Sequence, residues 1–289
     1  MDKYETLGDK IEAIISENLE FRGMAGIKLK NQLLNTAVDL NKSEVIVIVT
    51  GFYIHNARIG ETDGPLGALS MANALCRLGK EVIIVTDGHS SKFIEIGIAL
   101  LGIDVNLYVV TVENSEMICD EIISKYKPHH VISIERPGKS INGKYHSMSG
   151  EDLTDFIPDL DYMFEIAREN GIRTSAIGDG GNEIGMGKIT DYITSNVPLG
   201  DRIASVTATD NLIIAGVSNW GGHGVSAMLS IMDERDLMYD ESVELKLLGA
   251  IVSAGAVDGC TKIAEMSVDG FSLETNLDII RRLKALVDQ

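Results

Sequence analysis

Val45-Ile46-Val47-Ile48-Val49-Thr50, followed after a polar loop by Glu61-Thr62-Asp63-Gly64-Pro65-Leu66-Gly67, is the stretch that decides the fold. Its first six residues are all β-branched and show no polar alternation, which suits a strand covered on both faces. Behind them Asp63 or Gly64 stands at a helix N-cap and Pro65 at the first helical position. Leu66, Leu69, Ala72 and Cys76 then fall on one face, and Gly79 closes the element. Strand, polar glycine loop and capped helix make the first half of a βαβ unit.

The same beat recurs downstream. Short apolar runs at residues 82–86, 105–110, 130–134, 174–177 and 212–217 each precede a loop rich in Gly, Asp or Asn. Periodicity predicts helices over 92–101, 115–125, 155–170, 225–232, 242–254 and 273–287. Segments 177–201 and 218–224 read as glycine-rich polar loops, and the triplets at 257–259 and 268–270 (both VDG) are too short to count as a repeat. Upstream, Leu7, Ile11, Ile14 and Ile15 mark one helix and Leu29, Leu33, Leu34, Ala37 and Val38 another, parted by Gly23 and Gly26. These two precede the first strand, so they are expected to wrap a sheet edge or an oligomer partner and to carry no chemistry. The expected fold is α/β: a Rossmann-like, doubly wound, mostly parallel sheet with helices on both faces. One domain over 1–289 is expected, with a helical extension at 1–42 ahead of the α/β part at 43–289.

Composition narrows the function. With 45% hydrophobic and 24% charged residues, the 289-residue chain has ample apolar material for a core. A net charge of −18, from 25 Lys plus Arg against 43 Asp plus Glu, opposes nucleic acid and anionic membranes as partners. No apolar run approaches the ~18 residues of a membrane span, and Met1 to Lys10 is too acidic for a signal peptide, so a cytoplasmic protein is expected. Cys76, Cys119 and Cys260 are odd in number and widely spaced, which argues against disulfides and zinc; they read as buried thiols.

In open α/β sheets, ligands bind outside the carboxyl ends of the strands, where helix N-termini point inward. The polar residues due there are Glu61, Thr62 and Asp63; Asp87; Glu135 and Arg136; Asp179, Asn182 and Glu183; and Ser218, Asn219 and Trp220. Gly178-Asp179-Gly180-Gly181-Asn182-Glu183-Ile184-Gly185-Met186-Gly187 holds five glycines in ten residues. Such density suggests close ligand approach or an amide nest for an anion, against the plainer reading of a tight turn capped by Asp and Asn. Glu183 occupies the place where a dinucleotide fingerprint needs its third glycine. Gly138 to Lys144 matches a phosphate-loop pattern, but Tyr145 replaces the required Ser or Thr, so no nucleotide cofactor is expected. Arg136 suits a bidentate carboxylate clamp or a plain ion pair. Trp220 reads as a core or lid residue, His223 as a weak candidate shuttle, and a metal would be a hard cation on Asp179, Glu183 or Glu135 oxygens.

Glu61 to Gly67, Glu135-Arg136-Pro137-Gly138, Gly178 to Gly187, Ser218-Asn219-Trp220-Gly221-Gly222 and Ala256-Val257-Asp258-Gly259 together resemble the D-glutamate cyclase-like family. The resemblance runs in order from about Val45 to the C-terminus. It implies conversion of D-glutamate into 5-oxo-D-proline and water, aided by a divalent cation, Mn²⁺ or Mg²⁺. Larger members carry an additional N-terminal region that has no counterpart here beyond the two helices. On this reading Asp179, Glu183 and Glu135 are the catalytic candidates, with Asp179 and Glu183 also the metal ligands. Thr62, Asp63, Arg136, Gly180, Gly181, Asn182 and Asn219 bind the substrate, Arg136 on a carboxylate and the Gly180 and Gly181 amides on an oxyanion. The partner is a small amino-acid carboxylate, and a homodimer is compatible with the helical N-terminus. Two alternatives stay open: another amino-acid or lactam lyase or hydrolase on this scaffold, and a non-enzymatic small-anion-binding protein.

Overall fold

A computed structural model describes residues 3–289; Met1 and Asp2, at the head of the acidic N-terminal stretch, lie outside the described residues. Six parallel strands form the central sheet: β1 (Val45–Thr50), β2 (Glu81–Asp87), β3 (Asn106–Val110), β4 (His130–Ile134), β5 (Arg173–Gly178) and β6 (Asn211–Ile214). Their spatial order is β3-β2-β1-β4-β5-β6, so the direction of winding reverses between β1 and β4. That reversal opens a crevice at the carboxyl ends of these two strands.

The uninterrupted apolar strands follow from cover on both faces. Ile46 and Ile48 of β1 join one core cluster, while Val47 and Val49 join another. The first cluster lies under α1 (Lys3–Ile15), α2 (Gln32–Lys42), α3 (Pro65–Arg77), α4 (Ser91–Leu101), α9 (Ser218–Asp233), α10 (Glu241–Ser253) and α11 (Leu273–Val287). The second lies under α5 (Ser115–Tyr126) and α6 (Asp161–Glu169). The remaining helices are α7 (Thr190–Asn196) and the single turn α8 (Gly200–Ile203). No helix among the described residues is long and apolar enough to cross a membrane.

Several elements differ from sequence expectation, among them α7, which forms inside the segment 177–201 read as a loop. The helix expected from residue 155 starts at Asp161, because Pro158 disfavours helical backbone just before it. Residues 218–224, expected as a loop, form the first turns of α9 and are buried. Their glycines serve contact between helices: a Cβ on Gly222 would stand 2.6 Å from the Gly67 backbone, and one on Gly67 2.8 Å from Asn219 Cα. Helices α3 and α9 thus cross with almost nothing between their backbones. Trp220 is buried beside them, its Nε1 donating to Asn276 Oδ1 at 2.8 Å, so it is a core residue. Of the cysteines, Cys119 is buried and Cys76 half-buried, but Cys260 is exposed, which corrects the expectation of three buried thiols.

His130, at the start of β4, is fully buried and shares a hydrogen bond with Ser175 Oγ at 2.9 Å. Burial is the main cause that lowers its pKa to about 4. The folded state therefore holds the neutral ring, whereas the unfolded chain takes up a proton near its ordinary pKa. Stability present above that ordinary value is lost as pH falls toward 4, by roughly 3 kcal/mol at most. Urea melts at pH 7.0, 5.5 and 4.5 are expected to show a steeper loss for the native chain than for His130→Gln. Equal slopes would rule His130 out as the cause.

Candidate active site at the strand reversal

The chain leaves β1 through a short antiparallel hairpin (Tyr53–Ile54 with Ile59–Gly60) and arrives at Glu61, Thr62 and Asp63. Asp63 is fully buried and caps a helix distant in sequence: Oδ2 accepts from Ser218 N at 2.9 Å and Oδ1 from Asn219 N at 2.7 Å, the first amides of α9. Oδ1 also accepts from Gly64 N at 2.9 Å. A carboxylate there answers both the unpaired amides and the helix dipole. Gly64 begins α3 with φ +93°, and a Cβ there would lie 2.8 Å from Glu135 Cβ, so glycine is needed twice over.

At the end of β4, Glu135 holds a left-handed backbone, φ +43°, unusual for a residue with a side chain. Its Oε2 accepts from Ser218 Oγ at 2.6 Å. At the end of β5 comes Asp179, whose Oδ2 accepts from Arg22 Nη2 at 3.1 Å. One oxygen each from Asp63, Glu135 and Asp179 lies within 4.8 Å of the others, and all three side chains are buried. Glu135 and Asp179 border a cavity of about 300 Å³ whose wall also includes Arg22, Glu61, Lys262 and Asp269, with Asp63 just behind it. Three larger depressions, about 510, 540 and 420 Å³, open elsewhere on the surface, but none touches this carboxylate group.

So many acids in one poorly solvated space resist ionisation. Burial first, then Glu183, Asp63 and other carboxylates push the Glu135 carboxyl well above its ordinary range. Burial and Asp269 do the same to Asp63, opposed by the three backbone N–H donors. Burial raises Asp179 in spite of Arg22, and burial with Asp269 and Asp63 raises Glu61. Groups of this kind keep their protons more readily than an ordinary carboxyl, and added positive charge favours their ionised form.

The sequence candidates divide into those that face the cavity and those that build it. Glu135, Asp179, Asn182 and Glu183 line it, yet the Glu183 carboxylate is engaged by Asp179 N at 3.0 Å, Gly180 N at 2.6 Å and Gly181 N at 2.6 Å. The Gly180 and Gly181 amides, expected to hold an oxyanion, thus hold Glu183, and Glu183, expected as a base and metal ligand, shapes the turn. Asn182 Nδ2 donates to His146 O at 2.7 Å. Asn219, expected on substrate, instead ties α9 to α3: its Oδ1 accepts from Gly64 N and Gly67 N, and its Nδ2 donates to Thr62 O. Thr62 is fully buried, its hydroxyl donating to Ser267 O at 3.0 Å.

Arg136 differs most from expectation. It is fully buried, with Nη1 donating to Gly51 O at 3.1 Å and paired with Asp87, and Nη2 donating to Pro158 O at 2.9 Å. Its fork fastens three loops beneath the crevice instead of facing a ligand. His223, the weak shuttle candidate, points away toward Glu244, 3.4 Å distant on α10. Sequence reasoning overlooked Arg22, Lys262 and Asp269, and placed Glu61 at the strand end without a role. The triplets set aside as too short carry the signal for one of them: Asp258 of the first accepts from Gly270 N of the second at 2.8 Å, which folds Asp269 into the cavity wall.

A doubly wound α/β protein with a small pocket lined by buried carboxyl groups at its strand reversal is the class these observations define. The chain belongs to the D-glutamate cyclase-like family, whose C-terminal sequence model ("D-glutamate cyclase-like, C-terminal") matches residues 11–284. It is similar to the mitochondrial D-glutamate cyclase of Homo sapiens, at 28% identity over 95% of this chain and 51% of that protein. The chain thus spans about half the length of that relative. The family match begins within α1, well ahead of the motifs that first suggested it.

Proposed function

We propose that this chain is a lyase that closes D-glutamate on itself to give 5-oxo-D-proline and water, assisted by a divalent cation. The meeting of Asp63, Glu135 and Asp179 oxygens beside a cavity sized for an amino acid carries this reading, and the family relationship supports it.

The reaction sets simple proton demands. The ammonium nitrogen sheds two protons as it bonds to Cδ, the carbon of the γ-carboxylate, and one oxygen of that carboxylate gains two as it leaves as water. A carboxyl group whose pKa is raised above the ordinary range, so that it can both take up and give back a proton, serves both ends. Glu135 is suited to that relay by its raised pKa and by the Ser218 hydroxyl that fixes one of its oxygens. Glu61 is 5% exposed, lines the cavity and makes no side-chain hydrogen bond among the described residues, so it is free to receive the ammonium. Holding both reacting groups of one molecule in a five-membered arrangement contributes several kcal/mol, on the order of 7–11 at the ideal limit.

The buried oxygen set fits a hard cation such as Mn²⁺ or Mg²⁺, held by Asp63, Glu135 and Asp179. When bound, such an ion supplies positive charge to the cluster and Lewis acidity toward a carboxyl oxygen. Purified protein incubated with D-glutamate is expected to form 5-oxo-D-proline, resolved by chiral chromatography, and faster with Mn²⁺ or Mg²⁺ than with chelator. No lactam above the uncatalysed background with either ion would sink the reading. Independently of turnover, Mn²⁺ at a hundred times its dissociation constant should stabilise the fold by about 2.7 kcal/mol. That gain should vanish in Asp179→Asn; a melting temperature indifferent to Mn²⁺ would place no cation on this cluster.

A further inference from the structure

The acidic cavity raises a problem for any carboxylate ligand. Glu61, Glu135, Asp179 and Asp269 all line it, and an incoming carboxylate meets their repulsion unless a fixed cation receives it. Arg136, the expected clamp, is turned into the protein. Lys262 also lines the space, but its ammonium is bonded to the Gly259 carbonyl. Arg22 is the one guanidinium on the cavity wall among the described residues.

Its position is built. Arg22 ends a single 3-10 turn (Leu19–Arg22) whose flanking residues, Asn18 and Gly23, are both left-handed. Just beyond, the Tyr192 hydroxyl donates to Gly23 O at 3.1 Å and accepts from Gly26 N at 3.2 Å. Met24 is fully buried in the cluster that includes Ile193 and Met186. The guanidinium pairs through Nη2 alone, with Asp179 at 3.1 Å and with Asp269. Nη1 and Nε have no hydrogen-bond partner among the described residues, and the side chain is 16% exposed. Asp179 and Asp269 thus fix the plane of the fork and leave donors over for a ligand.

Resting on the reading of this cavity as an amino-dicarboxylate site, we infer that Arg22 binds the α-carboxylate of the substrate and so restricts the site to α-amino acids. A guanidinium keeps its partner ionised. That suits the carboxylate that stays charged through the reaction and persists in the lactam. It does not suit the γ-carboxyl, which must be neutralised before nitrogen attacks. The N-terminal segment therefore supplies specificity, where sequence reasoning gave it no chemistry.

Titration calorimetry on the whole chain with Mn²⁺ tests this, using 5-oxo-D-proline and D-2-aminobutyrate, which carry the α-carboxylate, and 4-aminobutyrate, which lacks it. Arg22→Met is expected to weaken the first two by about 10- to 100-fold, the usual weight of a charge-assisted hydrogen bond. Arg22→Lys should show a smaller loss, and 4-aminobutyrate should bind alike to all three proteins. Circular dichroism melts check folding. If Arg22→Met does not fold, the selective loss in Arg22→Lys decides. Loss shared equally by 4-aminobutyrate, no loss for any ligand, or native protein that binds neither α-carboxylate probe would overturn the inference. Lactam formation is assayed separately. Arg22-dependent binding without turnover would sink the cyclase reading and leave this one standing, and turnover with Arg22-independent binding would do the reverse.

Discussion

Glu135→Gln is expected to slow lactam formation by about 10²–10⁴-fold, the usual worth of a positioned general acid or base, without lowering the melting temperature. The amide is close in shape to the carboxyl, so Ser218 Oγ still has an oxygen to donate to and the left-handed backbone at φ +43° is undisturbed. What disappears is the exchangeable proton and a negative charge crowded by Asp63, Glu61, Glu183 and Asp269. Removing a charge from such a group relieves repulsion, so the variant should melt at or above the native temperature, as happens where a strained site is given up. Activity within tenfold of native, or a melt lowered by several degrees, would show that Glu135 braces the loop and takes no part in proton exchange.

Gly222→Ala is expected to be strongly destabilising, because it forces apart the crossing of α3 and α9. The added carbon would meet the Gly67 Cα and carbonyl oxygen at 2.6 Å, and backbone cannot swing aside as a side chain can. Overpacking of this kind costs about 1–3 kcal/mol or more, a fall of roughly 3–10 °C in a chain of this size. Activity should drop beyond what unfolding explains, because Asn219 joins α9 to Gly64 and Gly67 and the first amides of α9 hold Asp63. Gly88→Ala is the matched control, since a Cβ there meets nothing within 4 Å. Similar melting temperatures for the two variants would mean that the helix crossing is softer than its distances indicate.

The sheet was legible because each strand reports its own surroundings. Burial on both faces demands apolar residues throughout, and Val45–Thr50 and His130–Ile134 occupy the spans their runs predicted. Helix α3 was equally plain, since Pro65 and Gly79 act within its own length. Residues 218–224 were misread because their glycines answer to Gly67 on another helix, and no local pattern separates that need from a turn's. The loop tips were recognised as a group, but which of them face the cavity was not legible. Asp63, Glu135 and Asp179 do meet, whereas Arg136 and Glu183 are bonded within the protein: a fork or a carboxylate looks the same in sequence whether its partner is a substrate or Gly51, Asp87 and the amides of residues 179–181. Arg22 was invisible for a related reason, because its cavity is made wholly by residues far along the chain.

The placement of α1 and α2 bears on how this unit can be moved between proteins. Ile11, Ile15, Leu33, Ala37 and Leu40 are buried in the same core as α9, and Glu12 reaches from α1 to accept from the Leu33 amide at 3.0 Å. A fusion or transplant cut just ahead of Val45 would leave an oily flank on α9 and open it to aggregation. It would also discard Arg22. The portable piece for recombination, in the laboratory or in evolution, therefore includes the two helices that look in sequence like a preface.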